Sequence, residues 1–275
     1  MAEISIVIPT YNSARTLGLC LRSVSNQRRS AKAVLVIDRY SKDGSQKIAQ
    51  SYGAEVIEID ANRSVARNLG LEHSSTDGVV FIDSDMILPP TLVDDCETGL
   101  KVHDALIIPE SSSGVGFWAR CKALERGTHQ GNDLLEAARC FRKDAFIAIG
   151  GYDSTLEAGE DWDIQHRANL SDLSIGRTRS VIVHDEGNAT LPGLLKKKYN
   201  YGKTGKRYLK LNPYVGFRQI HPYRRVVIPG LRIMQSHPLE GFGVVLLKTM
   251  EFAVAGVGWA KASLERGNRR TSVDQ

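Results

Sequence analysis

The sequence predicts an α/β chain built on a single, mostly parallel sheet flanked by helices. Three observations predict it. Short β-branched apolar runs recur at Ile4–Ile8, Ala33–Asp38, Glu55–Ile59 and Gly78–Ile82. Segments with apolar residues at helical spacing separate them, as in the βαβ unit. The runs end in turn formers or acids, at Pro9, Asp38 and Asp83, so polar groups gather beyond the carboxyl ends of the strands, where open parallel sheets bind ligands.

In order, Ile4–Ile8 reads as the first buried strand, with Pro9-Thr10-Tyr11-Asn12-Ser13 as its turn. Leu17, Leu21 and Val24 mark the first helix. Ala33–Asp38 is the second strand, Asp43-Gly44-Ser45 is a turn, and Ser45 is expected to cap a helix running to Tyr52. Glu55–Ile59 is the third strand, and a helix is expected to start near Ser64. The fourth strand is expected to end at Asp83. Ala105–Pro109 is a further strand, Ser111–Gly116 reads as a mobile loop, and Trp118–Arg126 as a helix. Glu136 and Arg139 stand one helical turn apart and suit an i,i+3 ion pair. A helix over Asp161–Ala168 would carry Glu160 and Asp161 in its first turn, where the helix dipole favours acids. Ser180–His184 reads as a last short strand.

The domain boundary is expected near residue 190, with one half at about 1–100, a second at about 101–190 and a helical extension over 191–275. In that extension Lys196–Lys198, Lys203, Lys206, Arg207 and Lys210 interleave with Tyr199, Tyr201 and Tyr208, and a long apolar segment follows from Leu239 to Leu264. Basic and aromatic residues together suit a peripheral membrane contact. Lys248 and Glu251 interrupt the apolar segment, so no membrane-crossing helix is expected.

The chain has 275 residues, 42% hydrophobic and 24% charged, with a net charge of +5. That composition is globular, and the modest positive balance suits an acidic ligand. Cys20, Cys96, Cys121 and Cys140 are widely spread without a CxxC pair, which argues against zinc and fits reduced thiols. The N-terminus enters the first strand with no leader pattern, so a cytoplasmic location, peripheral on the cytoplasmic face of the membrane, is expected. No helix-turn-helix, zinc or RNP-type signature appears, so nucleic acid is not an expected partner.

Two acidic signatures carry the chemistry. In Phe81-Ile82-Asp83-Ser84-Asp85, alternation puts both aspartates on one side of an extended chain, suited to a hard divalent cation that would hold a diphosphate. Gly159-Glu160-Asp161-Trp162-Asp163 supplies a separate carboxylate able to act as a base.

The ordered set Val7–Asn12, Val36–Asp38 with Ser41–Ser45, Ala66–Asn68 with Gly70, Asp83–Asp85, Gly150–Asp153 and Gly159–Asp161 resembles the inverting family-2 glycosyltransferases of GT-A fold, over roughly residues 4–190. The resemblance implies a metal-dependent transfer of sugar from a nucleoside-diphosphate sugar to an acceptor hydroxyl on a glycan or glycolipid. It implies that Pro9, Thr10, Tyr11, Asp38, Arg67, Asp83 and Ser84 bind the donor. Asp85, with Asp83 and His184, would hold Mn2+ or Mg2+. Asp161 would be the general base, and Glu160 and Trp162 would meet the acceptor. Arg39 and Tyr40 stand where many members carry an acid or amide, which bears on the choice between uridine and guanosine donors. Two rival readings are weaker. A sugar-phosphate nucleotidyltransferase would want a glycine-rich basic loop after the first strand, and a non-catalytic scaffold need not keep both acidic signatures.

Overall fold

The structure, a computed structural model, describes residues 3–271. The first strand, β1 (Ile4–Thr10), leads through α1 (Ala14–Ser25), β2 (Ala33–Asp38), α2 (Ser45–Ser51), β3 (Glu55–Glu58) and α3 (Arg63–His73) to β4 (Gly78–Phe81). Next come β5 (Met86–Ile87), α4 (Leu92–Gly99), β6 (Ala105–Ile107), β7 (Glu110–Val115), α5 (Phe117–Gly127), β8 (Ala138–Arg142) and α6 (Lys143–Ala148). α7 (Glu160–Leu170), β9 (Ile175–Arg177) and β10 (Ile182–Asn188) complete the strands. Five helices follow: α8 (Leu191–Thr204), α9 (Lys206–Leu211), α10 (Pro213–Ile220), then α11 (Ile228–Met234) after a π-helical turn at Tyr223–Val227, and α12 (Pro238–Thr271).

The expected mixed α/β architecture is present. The main sheet has the order β3-β2-β1-β4-β8-β6-β9, and a smaller sheet has the order β5-β10-β7. β1 is parallel to both β2 and β4, while β8 runs antiparallel between β4 and β6. The register sets Thr10 beside Asp38 and Val7 beside Phe81. The loops after β1, β2 and β4 therefore leave from one edge.

Both faces of this sheet are buried, as continuous apolar strands require. Ile4, Ile6 and Ile8 enter one core with Leu17, Leu21 and Val93; Val7 enters the other with Phe81, Phe141, Phe146 and Tyr152. α3 lies tight on β1: a Cβ on Gly70 would stand 2.3 Å from a Val7 methyl. That approach brings Arg67, one turn earlier, under the sheet edge.

Several expectations are corrected. The fourth strand stops at Phe81, and Asp83 lies in the turn beyond it. Ser45 is the first residue of α2 rather than its cap. Gly44 holds the cap position in the left-handed region, and the Ser45 hydroxyl donates to Asp43 instead. α3 is capped by Asn62, whose side chain accepts from the Val65 N–H at 3.0 Å. Ser111–Gly116 is mostly strand β7, because pairing overrides the weak strand propensity of a serine–glycine run. Glu136 and Arg139 form no pair: Arg139 belongs to β8, where side chains alternate, and Glu136 binds Arg177. β10 continues beyond His184 to Asn188.

The chain divides into two compact units. One holds residues up to Ser111, Gln130–Thr155 and Glu160–Asp185; the other holds Ser112–His129, Leu156–Gly159 and everything from Glu186 onward. The break after Asp185 falls close to the expected residue 190, but α5 joins the helical unit. Its Cys121 sits in a small core with Ile233 and Val244.

Within the helical unit, α12 packs along α8, where a Cβ on Gly258 would stand 2.3 Å from the Tyr199 carbonyl oxygen. By length and composition Pro238–Leu264 is apolar enough to cross a membrane. Here Val244 and Leu247 face inward, and Lys248 and Glu251 are buried in an ion cluster: Lys248 reaches Glu125 at 3.0 Å and Glu251 at 2.9 Å. Of the tyrosines of 199–208, Tyr208 on α9 is buried, while Tyr199 and Tyr201 on α8 are half-buried. All four cysteines are free and buried, as expected.

Candidate active site

A chain of ion pairs runs across the carboxyl edge of the main sheet. At its centre is Arg67 on α3, a residue with 0% exposure. Its guanidinium holds Asp83 and Asp161 at 2.7 Å each and Glu160 at 3.5 Å. The Tyr152 ring lies beneath it, 4.9 Å from ring centre to guanidinium carbon. Arg139 on β8 forms the second bridge. It binds Glu110 at 2.5 Å and approaches Asp83 at 3.5 Å and Asp161 at 3.6 Å. Glu110 also meets His184 Nε2 at 3.0 Å, and the other ring nitrogen, Nδ1, stands 3.5 Å from Asp85. The network thus reaches from Asp85 to Glu160 without a gap.

The electrostatics divide the carboxylates by role. Burial pushes the Asp83 carboxyl upward, but the guanidiniums of Arg67 and Arg139 outweigh it and hold it well below the usual carboxylate range. Asp83 is therefore an anion already matched by two cations. Asp85 differs: it is 39% exposed, with a histidine nitrogen as its neighbour. Glu160 lies inward, bound by Arg63 at 3.1 Å as well as by Arg67. Burial, then the Asp161 charge, raise its carboxyl above the ordinary value. Glu160 thus belongs to the arginine network. Asp161 keeps one oxygen on Arg67 and is 26% exposed, open enough for a small group to reach it. Trp162, one residue on, is half-buried and its ring N–H donates to the Leu135 carbonyl at 3.3 Å.

Among the described residues, no three of His, Cys, Asp and Glu form a ready-made metal cage. Asp85 and His184 still suit a hard or borderline cation as a two-ligand pair, with remaining positions filled by phosphate oxygens and water. Glu110 reinforces that fit. A carboxylate 3.0 Å from Nε2 favours the tautomer that keeps the proton there and leaves the Nδ1 lone pair on the Asp85 side, as a metal-binding histidine needs.

A cleft of about 220 Å3 opens beside this network, lined by Pro9, Thr10, Tyr11, Arg39, Asn62 and Arg63 among others. Tyr11 is exposed, with the Arg39 guanidinium 5.7 Å from its ring centre. Arg39 also pairs with Asp60 at 3.0 Å. Thr10 is buried and donates to the Ile8 carbonyl. Asp38 is fully buried; its carboxylate accepts from the Ser41 N–H, the Ser41 hydroxyl and the Gln46 amide, so it organises the loop after β2. Ser84 donates to Ser13 at 2.8 Å, tying the Asp83–Asp85 turn to the loop after β1.

The loops after β1 and β2 are stitched together. The Asn12 N–H donates to the Ser41 hydroxyl at 2.8 Å, and Lys42 N–H donates back to the Asn12 side chain at 2.9 Å. Ala14 N–H adds a bond to Asp43 at 2.9 Å, and Ser13 N–H one to Ser45 at 2.8 Å. Asn12 and Tyr40 both take the left-handed backbone region, with φ of 47° and 50°. For Tyr40 that is a strained choice which the surrounding bonds enforce.

Sequence reasoning singled out Asp83, Asp85, Asp161, Arg67 and His184, and the structure brings all five into one network. It missed Glu110 and Arg139 as members. A buried charge at mid-strand in Ala-Arg-Cys-Phe was the available signal, since an arginine among buried residues needs acids nearby.

Comparison with known proteins follows from this geometry. The model of glycosyl transferase family 2 matches residues 5–148, just over half of the chain. The succinoglycan biosynthesis protein ExoA of Rhizobium meliloti is 25% identical over 295 residues, covering 95% of this chain and 84% of that protein. An uncharacterized glycosyltransferase of Haemophilus influenzae is 25% identical over 185 residues, and the chain spans 60% of its length. Glycosyltransferase AglE of Haloferax volcanii is 35% identical over 91 residues, and the chain spans 30% of it. Among solved structures, the mannosyltransferase PcManGT of Pyrobaculum calidifontis, in complex with GDP-Man and Mn2+, superposes with a TM-score of 0.60 over 94% of this chain and 87% of that one, at 14% identity. The likeness establishes the GT-A fold. Matched by the family model over residues 5–148, which carry Arg67, Asp83, Asp85, Glu110 and Arg139, the chain belongs to glycosyl transferase family 2.

Proposed function

We propose that the protein transfers a sugar from a nucleoside-diphosphate sugar to an acceptor hydroxyl of a glycan or glycolipid, with inversion at the anomeric carbon. The observation that carries this reading is the placement of two partly exposed carboxylates in a single ion network: Asp85 beside His184, and Asp161 beside Arg67 and Arg139. The cleft at Tyr11 receives the nucleotide, with the tyrosine ring as a stacking surface for the base and Arg39 on its rim. Asp85 and His184 would hold a divalent cation, Mn2+ or Mg2+, beside the donor diphosphate. When bound, that ion neutralises the negative charge growing on the leaving nucleotide.

On the other side Asp161 takes the proton of the acceptor hydroxyl. The acceptor oxygen forms its bond to the anomeric carbon as the bond to the diphosphate oxygen breaks, and the nucleoside diphosphate departs with the electron pair. Arg67 holds one Asp161 oxygen at 2.7 Å, and the other, 3.6 Å from Arg139, takes the incoming proton. Trp162 borders the base and offers a stacking face to the acceptor sugar. Cytoplasmic nucleotide sugars would place this reaction on the cytoplasmic side. ExoA, by its name, acts in polysaccharide synthesis, and PcManGT binds GDP-Man with Mn2+; both are compatible with this chemistry.

Asp161→Asn tests the assignment. Turnover is expected to fall by about 10²–10⁴-fold, the usual contribution of a base, while nucleotide binding stays within about twofold. Near-normal turnover by the variant would sink the base assignment.

A further inference from the structure

We propose that the helical unit docks on an anionic lipid bilayer through the outer face of α10 and the groove beside it. The proposal goes beyond glycosyl transfer and does not rest on it.

The first observation is an inverted amphipathic helix. In α10 the buried positions are Gly216 and Gln219, small and polar. Tyr214 and Phe217, which a water-facing helix would turn inward, are 75% and 62% exposed. Tyr214, Phe217 and Arg218 follow i, i+3, i+4 spacing and so share one helical side, and His221 follows just past the helix end. With Pro213 and Arg224 they line an open groove of about 600 Å3. Arg218 sits 5.7 Å from the Tyr214 ring centre, which holds a cation beside exposed aromatic surface.

The second observation is charge. Residues 187–239 hold eleven of the chain's 36 basic residues and none of its 31 acids. The rest of the chain, with 25 basic residues against 31 acidic, is net negative. A partner for this stretch must therefore be anionic. It must also accept apolar side chains, because exposed Leu211, Leu231, Leu239 and Phe242 belong to the same unit. Aliphatic side chains have no stacking use on a nucleic acid, whereas acyl chains below an anionic headgroup layer satisfy both demands. Tyrosine and arginine suit that interfacial depth, with rings in the headgroup zone and guanidiniums on phosphates.

This relocates the membrane-facing surface from the one expected at 196–210, where Tyr208 is buried and Tyr199 and Tyr201 are half-buried. It also gives the outward residues of α12, Phe242 and Leu246, a reason to stay apolar while Val244 and Leu247 pack inside.

The test is co-sedimentation of the full chain with vesicles of phosphatidylcholine alone or mixed with phosphatidylglycerol, without donor or acceptor, so that failure of the catalytic reading leaves it intact. The wild type is expected to bind the phosphatidylglycerol vesicles and to dissociate as salt rises. Tyr214→Ser with Phe217→Ser, and separately Arg218→Gln with Arg224→Gln, are each expected to reduce partitioning by about tenfold or more, with unchanged thermal midpoints because the replaced side chains are exposed. If the aromatic pair fails to fold, the arginine pair decides. Absence of binding to phosphatidylglycerol vesicles, binding by the variants equal to wild type, or full displacement by inorganic phosphate or glycerol phosphate at an ionic strength where sodium chloride leaves binding intact would each overturn the proposal.

Discussion

Replacing Arg67 by methionine keeps much of the side-chain volume and removes the charge from the centre of the network. Three carboxylates then lose a partner: Asp83 and Asp161, each at 2.7 Å, and Glu160 at 3.5 Å. Asp83 keeps only Arg139, at 3.5 Å, and Glu160 keeps Arg63. Breaking a buried pair by deleting one member costs about 3–5 kcal/mol. For a chain of this size that corresponds to a midpoint lower by roughly 10 °C.

The pH dependence carries the sharper test. In the wild type the Asp83 carboxyl is held below its unfolded value, so its contribution is complete above about pH 4 and is lost as pH falls through the lower folded value. Without Arg67, burial prevails and the folded value rises above the unfolded one. Glu160, already raised by burial and by Asp161, moves the same way. The variant should then lose stability as pH rises through these raised values, so its deficit is largest at neutral pH and shrinks toward about pH 5. Urea unfolding followed by tryptophan fluorescence at the two pH values measures this. A deficit under about 1 kcal/mol at neutral pH, or an equal deficit at both, would refute the account of Arg67 as the charge partner of buried carboxylates.

Two further outcomes follow from the same geometry. Asp85→Ala should weaken the Mn2+-dependent part of UDP or GDP binding by about tenfold or more in a thermal-shift titration, and leave metal-free nucleotide binding unchanged. Gly258→Val should lower the stability of the helical unit by about 1–3 kcal/mol, because the new side chain meets the Tyr199 carbonyl; calorimetry should show the loss in that unit, with nucleotide binding retained.

The legible part of the sequence was the part with short-range signals. Asp83 and Asp85 follow an apolar run directly, and Asp161 opens a helix, so pattern and position agree. Arg139 and Glu110 were not legible because they lie 29 positions apart and meet only after β7 and β8 are in place. The serine–glycine run of β7 has no strand propensity of its own. The basic, tyrosine-rich stretch read as surface because composition does not say which way a helix turns. Tyr208 is buried because its hydroxyl finds the Gln219 side chain at 2.5 Å, a partner supplied by α10. The sense of α10 was likewise hidden, since exposed aromatics look the same as core aromatics in sequence.

The stitching of the loops after β1 and β2 has a thermodynamic consequence for ligand capture. Fixing a loop residue costs on the order of 1–2 kcal/mol of conformational entropy, and a floppy rim would incur that cost on each encounter. Here Asn12 is already bonded to Ser41 and Lys42, Ala14 to Asp43, and Tyr40 already holds its left-handed turn, so the ordering is settled when the chain folds. On the proposed function, nucleotide capture at Tyr11 is then nearly a rigid-body event. Its affinity reports the contacts themselves, and swapping the base changes the enthalpy of stacking more than the entropy of the rim.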